Sequence, residues 1–224
     1  MKRVQRLSVG VLLVMTWLLC VAALAQGPEY TLKDYMPQTV GSKWIMKTTG
    51  AQGEQTITYE VLPARDIENQ KAVPIVMKNP EGQVQSGTLG AVTPDKLTLF
   101  GSLFRGRNAE AGAEPSTILY QPAATFPGKL RVGQSDQKQV KMSRGEQQMD
   151  ITVKLQLAAV ESVTVPKGTF ADCLKLVYTT SFGDRAMTRT VWYAKGVGMV
   201  KTEQSRRGGQ PARVAELTDY KLAP

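Results

Sequence analysis

The chain has 224 residues, with 28 Lys and Arg against 19 Asp and Glu, 20 Gly, 12 Pro, two Cys and no His. This composition is typical of a globular protein with a basic bias, and it excludes a disordered, collagen-like or multi-span membrane protein. The missing His excludes Ser-His-Asp and Cys-His catalysis, His-ligated zinc and any imidazole acid-base step. Phosphate-binding glycine motifs and calcium loops are also missing, so the sequence predicts no cofactor and no metal.

The first 25 residues have the pattern of an export signal. A cationic start, an apolar run and a small-x-small cleavage site follow one another at Lys2, Arg3 and Arg6, at 7–25 and at Ala23-Leu24-Ala25. We therefore expect cleavage after Ala25 and export to the periplasm or the outside, leaving 26–224 as a single β domain. The alternative is an uncleaved membrane anchor. Cys20 follows Leu19 rather than a small residue, which argues against lipidation at this thiol.

Alternation of apolar and polar side chains predicts strands through most of this domain. The clearest case is Asp150–Val165, expected as one long strand or as two with a bend near Glu161. Gln55–Leu62 has the same pattern. Further strands are predicted at Lys43–Thr49, Val73–Lys78, Gln83–Val92, Leu97–Leu103, Thr117–Gln121, Gln137–Ser143, Cys173–Phe182, Thr188–Ala194, Met199–Gln204 and Arg213–Leu222.

Turns rich in Gly, Pro and Asp separate these segments, and this spacing favours an all-β antiparallel sandwich or barrel. The segments 32–36 and 106–116 are expected as a brief helical turn and a mobile loop at the rim of the sheet. Cys173 lies in a strand-like run without a His or Cys partner, so we expect it to be buried rather than reactive.

Three fragments are more specific than composition. They are Gly41-Ser42-Lys43-Trp44 after Tyr35-Met36-Pro37, then Val165-Pro166-Lys167-Gly168-Thr169-Phe170, and Trp192-Tyr193-Ala194-Lys195-Gly196-Val197-Gly198-Met199-Val200. In order and wording they resemble a bacterial family of exported proteins of unknown function with GxxW, VPxGTF and WYAxGVGxV motifs. The resemblance implies an antiparallel sheet curled into an open or partial barrel, distantly similar to periplasmic lipoprotein-carrier domains, and it implies no activity.

Large aromatic side chains are the candidate ligand-binding residues. In a packed sandwich they would fill the core, whereas in a curled sheet some would line a concave trough for an acyl chain or apolar peptide. The candidates are Trp44, Tyr59, Tyr178, Trp192 and Tyr193.

The basic residues at predicted turns are the second candidate site. If clustered, they would form a basic rim that attracts anionic lipid or another envelope component, so peripheral membrane association is one interpretation. The other is that they serve solubility and protect sheet edges. They are Arg105, Arg107, Lys129, Arg131, Arg206, Arg207 and Arg213.

The function predicted from these features is a non-enzymatic, exported cell-envelope protein that binds a lipid, another apolar or amphipathic ligand, or an envelope component. The alternative is a structural or assembly factor that presents a sheet edge or the basic rim to a partner protein. A hydrolase that uses a pair of carboxylates is a third hypothesis, because such pairs work without His. Nucleic-acid binding is not expected, since export removes that partner and no aromatic-basic RNA-binding motif is present.

Overall fold

The computed structural model describes residues 27–50, 53–106, 109, 113–205 and 212–224. The predicted signal and its cleavage site lie outside these residues. The strands are β1 (Tyr30–Thr31), β2 (Lys43–Gly50), β3 (Gly53–Val61), β4 (Arg65–Ile67), β5 (Gln70–Lys78), β6 (Val84–Val92), β7 (Lys96–Phe104), β8 (Ser116–Pro127), β9 (Lys129–Leu130), β10 (Ser135–Arg144), β11 (Gln147–Val165), β12 (Gly168–Phe182), β13 (Arg185–Ala194), β14 (Gly198–Gln204) and β15 (Arg213–Lys221). A short 3-10 helix spans Leu32–Asp34, within the predicted helical turn. No helix in these ranges is long and apolar enough to cross a membrane.

The described strands form an antiparallel barrel, which confirms the predicted all-β fold. Twelve of them follow one another in the order β3-β2-β15-β14-β13-β12-β11-β10-β8-β7-β6-β5. The ring is closed because β3 pairs with β5 over four positions, from Thr58 opposite Lys78 to Val61 opposite Ile75. The pairing is short between β8 and β10, which are hydrogen-bonded over only three positions. β4 pairs with β5 outside the ring, and β1 pairs with β9.

The period of two in the sequence places one face of each strand inside the barrel. In β11, the side chains of Ile151, Val153, Leu155 and Leu157 are buried, while the intervening ones are more exposed. The pairing of β11 with β12 shifts register between Leu157 and Ala159 and between Glu161 and Val163. The segment is one continuous strand, the first of the two predicted alternatives, and the irregularities on either side of Glu161 bend it.

The two ends of the barrel differ. At one end, which we call the mouth, the strands β2, β5, β7, β10, β12 and β14 end and the strands β3, β6, β8, β11, β13 and β15 begin. The predicted loop 106–116 falls between β7 and β8 in the sequence, and its residues 107, 108 and 110–112 lie outside the described part of the chain. At the opposite end, which we call the floor, lie the turns β6–β7 and β13–β14 together with the segment that precedes β2.

Residues 30–42 cross the floor and close it. The backbone N–H of Leu32 donates to Gly128 O, and that of Gly196 donates to Asp34 O, both at 2.8 Å. Further along, the Gln38 side chain accepts from the N–H of Val92 at 3.0 Å and donates to Gly90 O at 3.4 Å. These bonds tie the segment to β6, to the β8–β9 junction and to the β13–β14 turn. The buried side chains of this segment pack with those of β7, β8, β11 and β12 into one of the hydrophobic clusters of the protein.

The strand β8 is longer than predicted. Alternation indicated Thr117–Gln121, whereas the strand extends to Pro127. Pro122 has no N–H to donate to a ladder. It lies where β8 leaves β10, and the second half of β8 pairs with β7 alone, from Leu99 opposite Ala124 to Lys96 opposite Pro127.

Candidate functional site in the barrel cavity

The barrel encloses a cavity of about 1790 Å³. A ring of about eight strands is filled by its own inward side chains, and wider rings leave space for ligands or solvent. The twelve strands found here are too many for side chains alone to fill the centre. The cavity is therefore a direct consequence of the strand number.

Methionines form much of the apolar wall. Six of them line the cavity, and they are Met36, Met77, Met142, Met149, Met187 and Met199. Unbranched thioether side chains are polarizable and adapt to differently shaped partners. A wall of this kind can accommodate an apolar ligand without a fixed shape.

Exposure of the lining residues shows where the cavity opens. At the mouth, Met149, Met187 and Phe104 are 49%, 46% and 42% exposed. At the floor, Trp44 is only 2% exposed, and Met36 is also buried. The cavity is thus open to solvent at the mouth and closed by residues 30–42 and Trp44 at the other end.

A partly buried arginine lies inside the barrel. Nη2 of Arg189 on β13 donates to the Tyr59 hydroxyl at 3.3 Å and contacts Met199 Sδ at 3.7 Å. Its guanidinium also lies 5.7 Å from the centre of the Tyr59 ring, within the range of a cation–π interaction. Burial alone would lower the pKa of Arg189, but the nearby oxygens of Tyr59, Tyr193 and Tyr178 raise it overall. Arg189 is therefore a permanent cation within the cavity.

Two more phenols complete this polar cluster. Tyr178 on β12 lies directly opposite Arg189 in the strand register, and its hydroxyl is hydrogen-bonded to that of Tyr193. Burial raises the pKa of Tyr178 well above its ordinary value, and it also raises the pKa of Tyr193. Both phenols stay protonated and can donate hydrogen bonds.

Arginine is the one charged residue type among the described residues that line the cavity. The lining contains Arg105, Arg189 and Arg213, and no Asp, Glu or Lys. Among the described residues, neither Arg189 nor Arg213 forms an ion pair. Glu60, by contrast, pairs with Lys78 at 2.6 Å on the face opposite Tyr59. Such acids pair with lysines outside the cavity, so no carboxylate in the described lining balances the charges of Arg189 and Arg213.

The structure brings four of the five predicted ligand-binding residues together. Trp44, Tyr59, Tyr178 and Tyr193 line the cavity. Trp192 does not, because it points to the side of β13 opposite Val191, which faces the cavity. There its indole Nε1 donates to Glu161 Oε1 at 2.6 Å.

The outer environment of Trp192 explains why it is buried without facing the cavity. The ammonium groups of Lys175 and Lys201 lie 5.1 and 5.8 Å from its ring centre. In the same cluster are buried residues of the bent β11–β12 hairpin, Val163, Val165 and Cys173. The tip of this hairpin is held to β15, where Lys167 N donates to Leu217 O at 3.0 Å.

The predicted basic rim is divided between the two ends of the barrel. Arg105 and Arg213 lie at the mouth and line the cavity, and Nε of Arg213 donates to Thr48 Oγ1 at 3.0 Å. Lys129 and Arg131 lie at the floor, where Arg131 pairs with Glu29 at 3.3 Å. The other three members, Arg107, Arg206 and Arg207, lie outside the described residues.

Arg189 was not among the predicted site residues. The predicted strand Thr188–Ala194 places Arg189 in phase with Val191 and Tyr193. The other face of the strand carries Trp192 and Ala194, so both faces have apolar residues and the pattern does not decide which one points inward. The sequence therefore offers only a weak signal for an inward-facing cation at this position.

The described lining offers no pair of acids for the hydrolase hypothesis, since it contains no carboxylate. Among the same residues, no group of three or more His, Cys, Asp or Glu side chains is placed to hold a metal ion. What the arrangement offers chemically is an apolar volume with fixed hydrogen-bond donors and positive charge.

Comparison with known proteins gives one family and a shared fold. A family model described as DUF3108-like matches residues 39–217. One similar crystal structure is that of a Bacteroides fragilis protein named as exported and with a YmcC-like fold. It has a TM-score of 0.50 and 14% sequence identity, and the match covers 84% of this chain and 99% of that one. A second, from Parabacteroides distasonis and named as a lipoprotein, has a TM-score of 0.47 and 22% identity, covering 83% and 97%. No curated protein matches the chain.

Proposed function

The chain belongs to the DUF3108-like family, and from this premise and the lined cavity we propose that it is an exported, non-enzymatic envelope protein that binds an apolar or amphipathic ligand inside its barrel. The single observation that carries the proposal is the cavity of about 1790 Å³, closed at the floor and open at the mouth. Burial of apolar ligand surface against its aliphatic, thioether and aromatic walls is the driving force.

The volume limits the class of ligand. Pockets for small ligands usually measure about 300–1,000 Å³. A cavity of about 1790 Å³ exceeds this range, so a ligand with a long chain, or with more than one chain, fits better than a compact metabolite. The six methionines favour tolerance of chain length and branching over one exact shape.

Export supports a lipid as the ligand. The signal pattern of residues 1–25 predicts secretion across the cytoplasmic membrane. The two similar structures come from proteins named as exported and as a lipoprotein. In an envelope, amphiphiles are the abundant class of apolar ligand, and an enclosed cavity shields their chains from water.

The mouth suits contact with a membrane surface, which extends the proposal to ligand exchange. Phe104, Met149 and Met187 expose apolar side chains there, and Arg105 and Arg213 lie beside them. Apolar groups that enter the interface, with arginines that attract anionic head groups, are typical of peripheral membrane association. We include this contact in the proposal.

The alternative of an assembly factor has less support. A sheet edge is a template for a partner strand. The pairing of β3 with β5 closes the ring of described strands, so the unpaired edges that remain are short, as along the second half of β8. The basic residues that the structure describes are shared between the mouth and the floor, so they do not form one rim.

A variant with a smaller cavity volume tests the proposal. Thr180 on β12 lines the cavity, and the adjacent Thr179 faces the other side of the strand, where its hydroxyl meets that of Thr188 at 3.5 Å. Thr180→Trp places an indole in the cavity, whereas the matched control Thr179→Trp places it outside. Each protein is purified from the envelope fraction of its own host and extracted with organic solvent, and the extract is analysed by mass spectrometry.

We expect stoichiometric amphiphile from the unmodified protein and from Thr179→Trp, and less ligand, or ligand with shorter chains, from Thr180→Trp, because the indole takes up part of the cavity. Native mass spectrometry measures the same ligand content and mass without extraction. An empty unmodified protein, or the same ligand content and chain lengths in the two variants, would contradict ligand binding in the barrel.

A further inference from the structure

We propose that the ligand is an anionic amphiphile, whose acidic head group is bound inside the barrel by Arg189 and the hydroxyls around it. This inference rests on the proposed function, because it concerns the same cavity. It adds the chemical class of the head group and the residues that bind it.

The donors converge on one part of the cavity wall. Arg189, Tyr178 and Tyr193 lie on the adjacent strands β12 and β13, and Tyr59 reaches the same guanidinium from β3. The hydrogen-bond partners of Arg189 among the described residues are a neutral hydroxyl and a thioether, neither of which is an anion. A guanidinium has five N–H donors in a planar fork that matches a carboxylate or a phosphate.

The positive charge of the cavity favours a ligand with a negative charge. Buried charges in proteins are normally paired, because removal of an ion from water is costly. Arg189 has no carboxylate within ion-pair distance among the described residues, and the lining that they form contains no acid. A ligand that carries a negative charge supplies the missing partner, whereas a neutral or cationic ligand leaves the guanidinium uncompensated.

The position of Arg189 along the barrel places the head group between the two ends. Arg189 is paired with Gln204, the last residue of β14 before the mouth, and it lies two residues from the exposed Met187. Its guanidinium extends away from the mouth to Tyr59, which is paired with Trp44, and to Met199. The head group therefore lies part-way down the cavity, where the apolar walls on either side can contact the chain.

Three probes with the same chain separate the head group from the chain. Dodecanol, dodecanoate and dodecyl phosphate are titrated into the delipidated protein at neutral pH by calorimetry or by displacement of a fluorescent probe. We expect both anions to bind about tenfold or more tightly than the alcohol. The tighter of the two anions identifies the head group as a carboxylate or a phosphate.

The outcomes for the unmodified protein distinguish the two proposals. Failure of all three probes to bind would contradict the proposed function. Equal binding of dodecanol and the anions would leave apolar binding intact and overturn the assignment of an anionic ligand. Neither result depends on a variant that folds poorly.

Substitutions of Arg189 then test whether this residue binds the anion. Arg189→Gln should reduce the preference for dodecanoate over dodecanol to about twofold or less while dodecanol affinity is kept, and Arg189→Lys should retain part of the preference. Arg185→Gln is the matched control, because Arg185 is an exposed residue of the same strand that does not line the cavity. A full preference in folded Arg189→Gln would show that the anion binds elsewhere.

Discussion

The indole of Trp44 donates from Nε1 to the backbone oxygen of Val197 at 2.8 Å. This bond joins two of the sequence fragments, Gly41-Ser42-Lys43-Trp44 and the turn between β13 and β14. Gly198 belongs to the same contact, because a Cβ there would lie 2.8 Å from Trp44 Cζ2 and 2.9 Å from Nε1. The two fragments therefore form one piece of the cavity floor, in which a glycine lets the chain approach the ring.

Gly198→Ala should be the more damaging of two alanine substitutions in this turn. Its backbone has φ of +99°, and the added methyl would displace Trp44. We expect a loss of about 2–3 kcal/mol in the free energy of unfolding, measured by urea denaturation. We also expect a changed near-ultraviolet circular dichroism spectrum.

Gly196→Ala is the control for this prediction. Gly196 also has a positive φ, +68°, but a Cβ there meets nothing within 4 Å. Only the left-handed backbone penalizes alanine, by about 1 kcal/mol. Equal losses in the two variants would show that the contact with Trp44 is unimportant.

Strand positions and local turns could be predicted from the sequence, because they depend on near neighbours. The long strand through Asp150–Val165 is one example, and the antiparallel pair formed by the strands predicted at Thr188–Ala194 and Met199–Gln204 is another. Closure of the ring was not predictable in this way. The pairing of β3 with β5, and the course of residues 30–42 across the floor, depend on non-local contacts that alternation does not specify.

The side of the sheet on which an aromatic residue lies was harder to predict. Val191, Trp192 and Tyr193 are all apolar, so alternation gives no phase at this point. The register also shifts between Trp192 and Tyr193 where β13 pairs with β14. Trp192 consequently lies outside the barrel, covered by the β11–β12 hairpin, while Tyr193 lies inside.

Glu60→Gln should weaken folding at neutral pH and have less effect in acid. Burial acts to raise the pKa of Glu60, but the hydrogen bonds and charges of Lys78 and Lys43 lower it overall. A carboxyl whose folded pKa is lowered stabilises the protein above its unfolded pKa, and this contribution is lost as pH falls through the folded value. We expect a destabilisation of about 1 kcal/mol at pH 7.

The measurement compares urea unfolding of Glu60→Gln at pH 7 and near pH 3 with that of Glu54→Gln. Glu54 lies on the same strand and pairs with Lys47 at 2.7 Å, but its side chain is 60% exposed against 15% for Glu60. Exposed pairs contribute little. A pH-independent effect of Glu60→Gln would mean that its packing matters rather than its charge.

Cys173 should resist thiol reagents as long as the protein is folded. Its side chain has 0% exposure and its Sγ lies 3.4 Å from Phe170 O, which confirms the predicted burial. Burial raises the pKa of the thiol to about 11. Because the thiolate is the reactive form, we expect labelling at pH 7 to be roughly a hundredfold or more slower than for a free cysteine.

The labelling experiment uses a Cys20→Ser chain, which leaves Cys173 as its one thiol. Reaction with an aromatic disulfide reagent is followed with and without denaturing urea, and the rate should rise steeply when the chain unfolds. Rapid stoichiometric labelling of the folded protein would contradict the burial of Cys173 within the β11–β12 hairpin.

Contact of the mouth with a membrane should depend on its exposed methionines. Met149→Gln combined with Met187→Gln replaces two apolar side chains at the mouth, which are 49% and 46% exposed, with polar ones of similar length. Less apolar surface then enters the interface, so we expect weaker cosedimentation with vesicles of anionic phospholipid and slower transfer of a fluorescent fatty acid from them. Val132→Gln is the control, because Val132 is 52% exposed but lies next to β9, away from the mouth. A comparable loss in Val132→Gln, or unchanged transfer in the double variant, would place membrane contact on another surface.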